Sequence, residues 1–190
     1  MIQNVLPVVA KELNDYLKSR FNSLEDKVVM SNIMDQSGSL AIEGNNKVVF
    51  SLINITEETT LKAGSSEQMM GGSYAQFSPS VHVNLTVLLS TQFNPKNYTE
   101  ALRYVSGVIY FFQSKPLFTY ENTPGLDPNI NKLHFDLQSM STHDLMSLFS
   151  LMGAKYTPSV IYRVKMLTFN QETIVDTLPA ISETDVEGGG

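Results

Sequence analysis

The sequence predicts an α+β domain: a mostly antiparallel mixed sheet with about three helices packed on one face of it. Two observations carry this prediction. Apolar residues recur at helical spacing in three separate stretches, while other stretches alternate apolar with polar residues or concentrate β-branched ones. The order is helix, strands, helix, strands, helix, strand, which is not the strict alternation of a parallel βαβ fold.

The first helix is read from Ile2, Val5, Leu6, Val9, Leu13, Tyr16, Leu17 and Phe21, which share one face at a spacing of three and four. Pro7 fits a helix capped near Asn4, because first-turn N–H groups have no intrahelical partner to lose. Val28 to Ile33 reads as a short strand and Gln36 to Ser39 as a turn. A longer strand follows from Lys47 to Glu58, rich in Val48, Val49, Phe50, Ile53 and Ile55. Val81, Val83, Leu85, Val87 and Leu89 alternate with His82, Asn84 and Thr86, so the two runs are expected to form a long antiparallel pair.

Between them, Thr60 to Pro79 holds Gly64-Ser65-Ser66 and Gly71-Gly72 and reads as a long loop, a kind of connection that is usually functional or disordered. It carries Met69, Met70, Tyr74 and Phe77, which are candidate anchors for a protein partner.

The second helix is predicted over Tyr98 to Ser114, with Asn97 as N-cap, Glu100 at the reciprocal capping position, and Tyr98, Ala101, Leu102, Val105, Val108, Ile109 and Phe112 on its core face. Gly107 inside it costs about 1 kcal/mol of helix propensity relative to alanine, which predicts a close approach of helix to sheet. Leu117 to Tyr120 reads as an edge strand, Asn122 to Pro128 as turn, and Leu133 to Gln138 as a half-buried strand. Ser141 and Asp144 open a third helix through Leu145, Leu148, Phe149 and Met152, with Gly153 as the residue that ends it. The last strand of the domain is Ser159 to Phe169. The domain is therefore read over residues 1–169 and an acidic, extended or disordered arm over 170–190, within which Thr173, Ile174 and Val175 can form a strand and join the candidate partner contacts.

Composition narrows the function. At 190 residues the chain suits one core, and only 17% of it is charged, so its surface is dominated by uncharged polar side chains suited to protein partners. A net charge of −6 with no Lys/Arg cluster argues against nucleic acid. Arg163 and Lys165, alternating with apolar residues, read as a solvated strand edge. Cysteine is absent, which excludes disulfides and thiolate zinc sites. His82, His134 and His143 are too scattered to read as metal ligands, Glu57, Glu58 and Asp127 do not form an acid pair, and no serine elbow or phosphate loop is present. No catalytic residue, cofactor or metal is predicted. Neither a basic leader nor an apolar run of membrane-spanning length appears, so the chain is expected to be made in the cytoplasm without a signal peptide and without inserting into a membrane.

Three stretches, in this order and spacing, resemble one family: Lys47-Val48-Val49-Phe50-Ser51-Leu52-Ile53-Asn54-Ile55; Phe111-Phe112-Gln113 with Pro116-Leu117-Phe118-Thr119 and Asn122-Thr123-Pro124; and Gly153-Ala154-Lys155-Tyr156-Thr157-Pro158-Ser159-Val160-Ile161-Tyr162-Arg163-Val164. The chain over residues 1–169 is similar to the cap, or tail-terminator, proteins of phage-tail-like extracellular contractile injection systems of the anti-feeding prophage and Photorhabdus virulence cassette type. The resemblance implies a phage-terminator fold and a homo-hexameric ring on the end of the inner tube and sheath that stops polymerisation, in a contractile particle that is released or anchored. It implies inner tube and sheath proteins, and another cap subunit, as partners. An adaptor ring beneath a separate cap, or a tube or sheath subunit, is the alternative within this class; a small ligand-binding domain or enzyme is the alternative outside it.

Overall fold

A computed structural model describes residues 2–42, 46–58, 67–70, 73–77, 81–130, 132–169 and 174–179. The chain divides into two compact units, Met1–Thr56 with Val83–Leu167, and Glu57–His82 with Thr168–Gly190. One boundary falls between Leu167 and Thr168, and the segment Glu57–His82 shares a unit with Thr168–Gly190.

The larger unit is built on a six-stranded mixed sheet. In chain order its elements are α1 (Ile2–Phe21), β1 (Val28–Met30), β2 (Lys47–Glu57), then β3 (Glu67–Met70) and β4 (Ser73–Phe77) of the smaller unit, β5 (Val81–Gln92), α2 (Tyr98–Ser114), β6 (Leu117–Phe118), β7 (Leu133–Gln138), α3 (Thr142–Leu151), β8 (Ser159–Phe169) and finally β9 (Ile174–Pro179) of the smaller unit. The strands lie in the order β1-β2-β5-β8-β7-β6. β1 runs parallel to β2, pairing Val28 with Val48 and Met30 with Phe50. β7 runs antiparallel to β6 and to β8, with Phe135 opposite Val164. Glu58 N donates to His82 O at 2.8 Å where the end of β2 meets the start of β5, as the arms of an antiparallel pair do.

α1 begins at Ile2, earlier than a cap at Asn4 allows, so Pro7 falls inside the helix. Pro7 is exposed and removes only the bond to the Gln3 carbonyl near the helix start, which limits the disruption. The helix ends on Asn22, whose φ of 51° is left-handed, while Ser23 N donates to Lys18 O at 3.0 Å across the turn. Asn14, buried in the helix, then fixes the start of β1. Its Oδ1 accepts from Lys27 N at 2.8 Å and Val28 N at 3.1 Å, and its Nδ2 donates to Asp26 Oδ1 at 2.8 Å. Hydrogen bonds from Lys18 and then Asn14 hold the Asp26 carboxyl below its ordinary range.

α2 spans the expected residues, but its start and its face differ from the expectation. Asn97 closes a short 3₁₀ turn at Pro95–Asn97 and makes no side-chain cap; the capping side chain is Asn94, accepting from Lys96 N at 3.1 Å. Its buried residues are Ala101, Tyr104, Gly107, Val108, Phe111 and Phe112, whereas Tyr98 and Leu102 are exposed. Apolar residues nearly encircle this helix, and packing against α1 selects which arc is buried. Tyr16 meets Phe111 at 5.3 Å and Phe21 meets Tyr104 at 4.8 Å between ring centroids. Gly107 does mark a close approach, but to Leu17 and Phe21 of α1 rather than to the sheet.

Helices cover both faces of the sheet, not one. Along β8, successive side chains point to opposite sides: Tyr162 lies 4.6 Å from Phe112 of α2, whereas Ile161 packs in a cluster with Phe149 of α3. The α2 face also holds Phe135, stacked on Phe112 at 4.6 Å, and Phe118. Ile33, Val49 and Leu88 complete the α3 face. β5 is consequently buried on both sides from Val87 to Thr91, which explains why alternation fades in its second half. α3 itself is well delimited. Ser141 Oγ accepts from Asp144 N at 3.1 Å, and Gly153 (φ 66°) lets Ala154 N reach Phe149 O at 2.9 Å, a Schellman end.

The smaller unit contains a three-stranded antiparallel sheet in the order β3-β4-β9. Residues 67–70 and 73–77 are therefore strands, where the sequence reads as loop. Glycine pairs and Ser-rich flanks mask a hairpin whose strands are too short for alternation to register. The expected strand at Val28–Ile33 is likewise shorter, ending at Met30, because Ile33 leaves the sheet to pack under α3.

Candidate assembly interface

Six of the seven candidate contact residues lie on the small sheet. Met69 and Met70 are on β3, where Met69 pairs with Tyr74 and Met70 with Ser73 of β4. Tyr74 pairs in turn with Leu178, and Phe77 with Ile174, of β9. The register shifts between Gln76, which faces Asp176, and Phe77, which faces Ile174, so Val175 is the extra residue of a β-bulge. Thr173 lies outside the described residues. The hairpin and the arm, separated by some hundred residues in the chain, are thus one pairing unit. Of its three strands, β3 and β9 occupy the edges. An edge strand presents a row of backbone donors and acceptors that another chain can pair with.

The larger unit carries a second surface, beside α3. Only Phe149 of α3 is buried, at 2% exposure; Leu148 is half-buried and Leu151 is 86% exposed. Leu148, Leu151 and Met152 form one wall of an open groove of about 370 Å³, opposite Ile33, Met34 and Ile53. The signal for it was present: Leu145, Met146, Leu148, Phe149, Leu151 and Met152 cover more than half of the helix circumference, wider than a helix packed by one stripe alone needs.

Several charged groups are paired at the surface. His134 Nδ1 lies 3.0 Å from Asp136, whose other oxygen forms an ion pair with Lys165. Lys165 and the exposed Arg163 do not mark a sheet edge, because β8 is flanked by β5 and β7; they stand on the face that α3 leaves open. Lys115 bridges Glu12 of α1 at 2.6 Å and the Asn122 carbonyl at 2.7 Å. Among the described residues, no three His, Asp or Glu side chains converge as metal ligands would, and no helix is long and apolar enough to cross a membrane.

One unit thus carries the edge strands β3 and β9, and the other the groove beside α3. The fold of the chain is shared with terminators of contractile particles. The cryo-EM structure of the sheath/tube terminator of an extracellular contractile injection system, PVC, in its extended state superposes with a TM-score of 0.66 at 14% identity, covering 100% of this chain and 64% of that one. The tube-terminating cap of the anti-feeding prophage superposes with a TM-score of 0.56 at 13% identity, covering 96% of this chain and 60% of that one. This chain thus spans less than two-thirds of the length of either. Residues 4–183 match the Pvc16 N-terminal domain family, and the chain belongs to that family. No curated protein matches it.

Proposed function

We propose that this chain is a terminator of a contractile injection particle: a ring of copies, six by resemblance, seated on the end of the inner tube and sheath, where it stops further addition of subunits. The observation that carries the reading is the family match over residues 4–183, together with a fold shared along nearly the whole chain with a sheath/tube terminator and a tube-terminating cap. Physical reasoning supports it. The end of a helical polymer exposes the surfaces that recruit the next layer, and a protein that ends growth must cover them. Edge strands β3 and β9 and the groove beside α3 are surfaces suited to that task. Met69, Met70, Tyr74 and Phe77 on the hairpin, and Thr173, Ile174 and Val175 at the arm, make the contacts with tube and sheath proteins in this reading. The work is structural and needs no chemistry at a catalytic site.

Counting copies per particle tests the proposal. A fixed number near six, independent of sheath length, is expected; a number that grows with length identifies a tube or sheath subunit instead. Deleting the hairpin and the arm separately tests the contacts. Loss of stable, normally capped particles is expected from each, and normal particles from both would move the contacts to the folded body.

A further inference from the structure

On the α1–α2 side, Arg20 and Arg103 flank a shallow cavity of about 520 Å³ with Phe21 and Tyr110 beside them. Each guanidinium lies against an aromatic ring: Arg20 Cζ is 4.7 Å from the Tyr110 centroid, and Arg103 Cζ is 4.4 Å from that of Phe21. Arg20 also donates to Tyr16 Oη at 3.1 Å. Stacking on a ring holds a guanidinium by its face and leaves its N–H edge available, the arrangement in which arginine takes carboxylates by paired hydrogen bonds. Among the described residues neither arginine has a carboxylate within 4.0 Å, so both guanidinium edges are open to an acidic partner. The neighbouring Ser106 hydroxyl is engaged with the Leu102 carbonyl at 2.9 Å, so the arginines are the site's principal donors.

The sequence concentrates the complementary charge in one place. After Lys165 it contains Glu172, Asp176, Glu183, Asp185 and Glu187 and no basic residue. Glu183, Asp185 and Glu187 alternate with Thr184 and Val186, so a segment bound in extended form presents their carboxylates on one side, about 6.8 Å apart for neighbours and ~13 Å for the outer two. Arg103 and Tyr110, the ring that carries Arg20, are seven residues apart on α2, a rise on the order of 10 Å. The spacing of the acids brackets that of the bases.

We infer that the Arg20/Arg103 cavity receives the Glu183–Glu187 segment of a second copy of this chain. The contact deepens the proposed ring by naming one way in which its copies meet, and it rests on that reading only in requiring that copies associate. Sedimentation velocity on the isolated chain, without particles, tests it separately from any role in ending a polymer.

Wild-type chain is expected to self-associate, more weakly as salt rises. Arg20→Glu/Arg103→Glu, and separately Glu183→Lys/Asp185→Lys/Glu187→Lys, are each expected to lower the association constant by about tenfold or more, since two exposed charge pairs are lost and repulsion replaces them. Mixing the two variants restores association, because the acidic cavity of one meets the basic segment of the other. All the substituted arginines are exposed, and far-UV circular dichroism checks that the fold is kept; a chain shortened after Ser182 serves as a variant that leaves α1 and α2 untouched. A wild-type chain that stays monomeric, variants that associate like wild type, or a mixture that fails to recover would each overturn the inference.

Discussion

Alanine at Gly107 forms helix better than glycine does, yet the Gly107→Ala variant is expected to be the less stable protein. In a helix interior the substitution gains about 1 kcal/mol from propensity alone. Against this, a Cβ at position 107 stands 2.7 Å from Leu17 Cδ2 and 2.9 Å from two ring carbons of Phe21. Carbon atoms pack at roughly 3.5–4.0 Å, so the methyl enters by about 0.6 Å or more on two sides. Leu17 is 0% exposed, and Phe21 is held between Tyr104 and Arg103. Overpacking of this kind costs about 1–3 kcal/mol. Taking about 2 kcal/mol for it, the net loss is about 1 kcal/mol, which lowers Tm by roughly 2–4 °C in a chain of this size. Thermal and urea unfolding measure it. Combining the change with Leu17→Ala supplies the control, because space vacated by leucine should make the double variant less destabilised than the sum of the singles by about 0.5 kcal/mol or more. A higher Tm for Gly107→Ala, or strict additivity with Leu17→Ala, would refute the close packing of α1 on α2.

Phe149→Ala should cost about 3–5 kcal/mol in urea unfolding, since Phe149 alone among the α3 residues is buried; Leu151→Asp, at a position 86% exposed, should stay within about 0.5 kcal/mol. Tyr162 gives a pH dependence. Burial pushes its phenol up to about 12 from an ordinary 10.0, so its contribution to stability is complete below pH 10.0 and is lost as pH rises toward 12; Tyr162→Phe should remove that part of the alkaline loss, read by unfolding midpoints against pH. Asn14→Ala leaves the Lys27 and Val28 amides without their acceptor and should cost about 1–3 kcal/mol, with faster hydrogen exchange at both.

Much of the larger unit was legible because its signals are local. The helical spacing of Val5 to Leu17, the β-branched run from Val48 and the Ser141/Gly153 ends of α3 each specify an element through their own neighbours. What the sequence hid depends on distant partners. Which arc of α2 is buried is decided by α1, so Tyr98 and Leu102 read as core and are exposed. The side of the sheet that α3 covers is set by Ile161 and Val49, and no residue within α3 records it. Likewise, the pairing of Phe77 with Ile174 joins segments that look unrelated in the chain. The arginine cavity is made by the convergence of α1 and α2 in space and not by spacing within either helix.

In the proposed function this chain ends polymer growth. Producing the particle from its gene cluster with and without the chain, and measuring sheath and tube lengths by electron microscopy, tests that claim most directly. Missing, unstable or length-uncontrolled tails are expected in its absence, with normal lengths restored when the chain is supplied. Finished tails of normal length without it would rule out a terminator role.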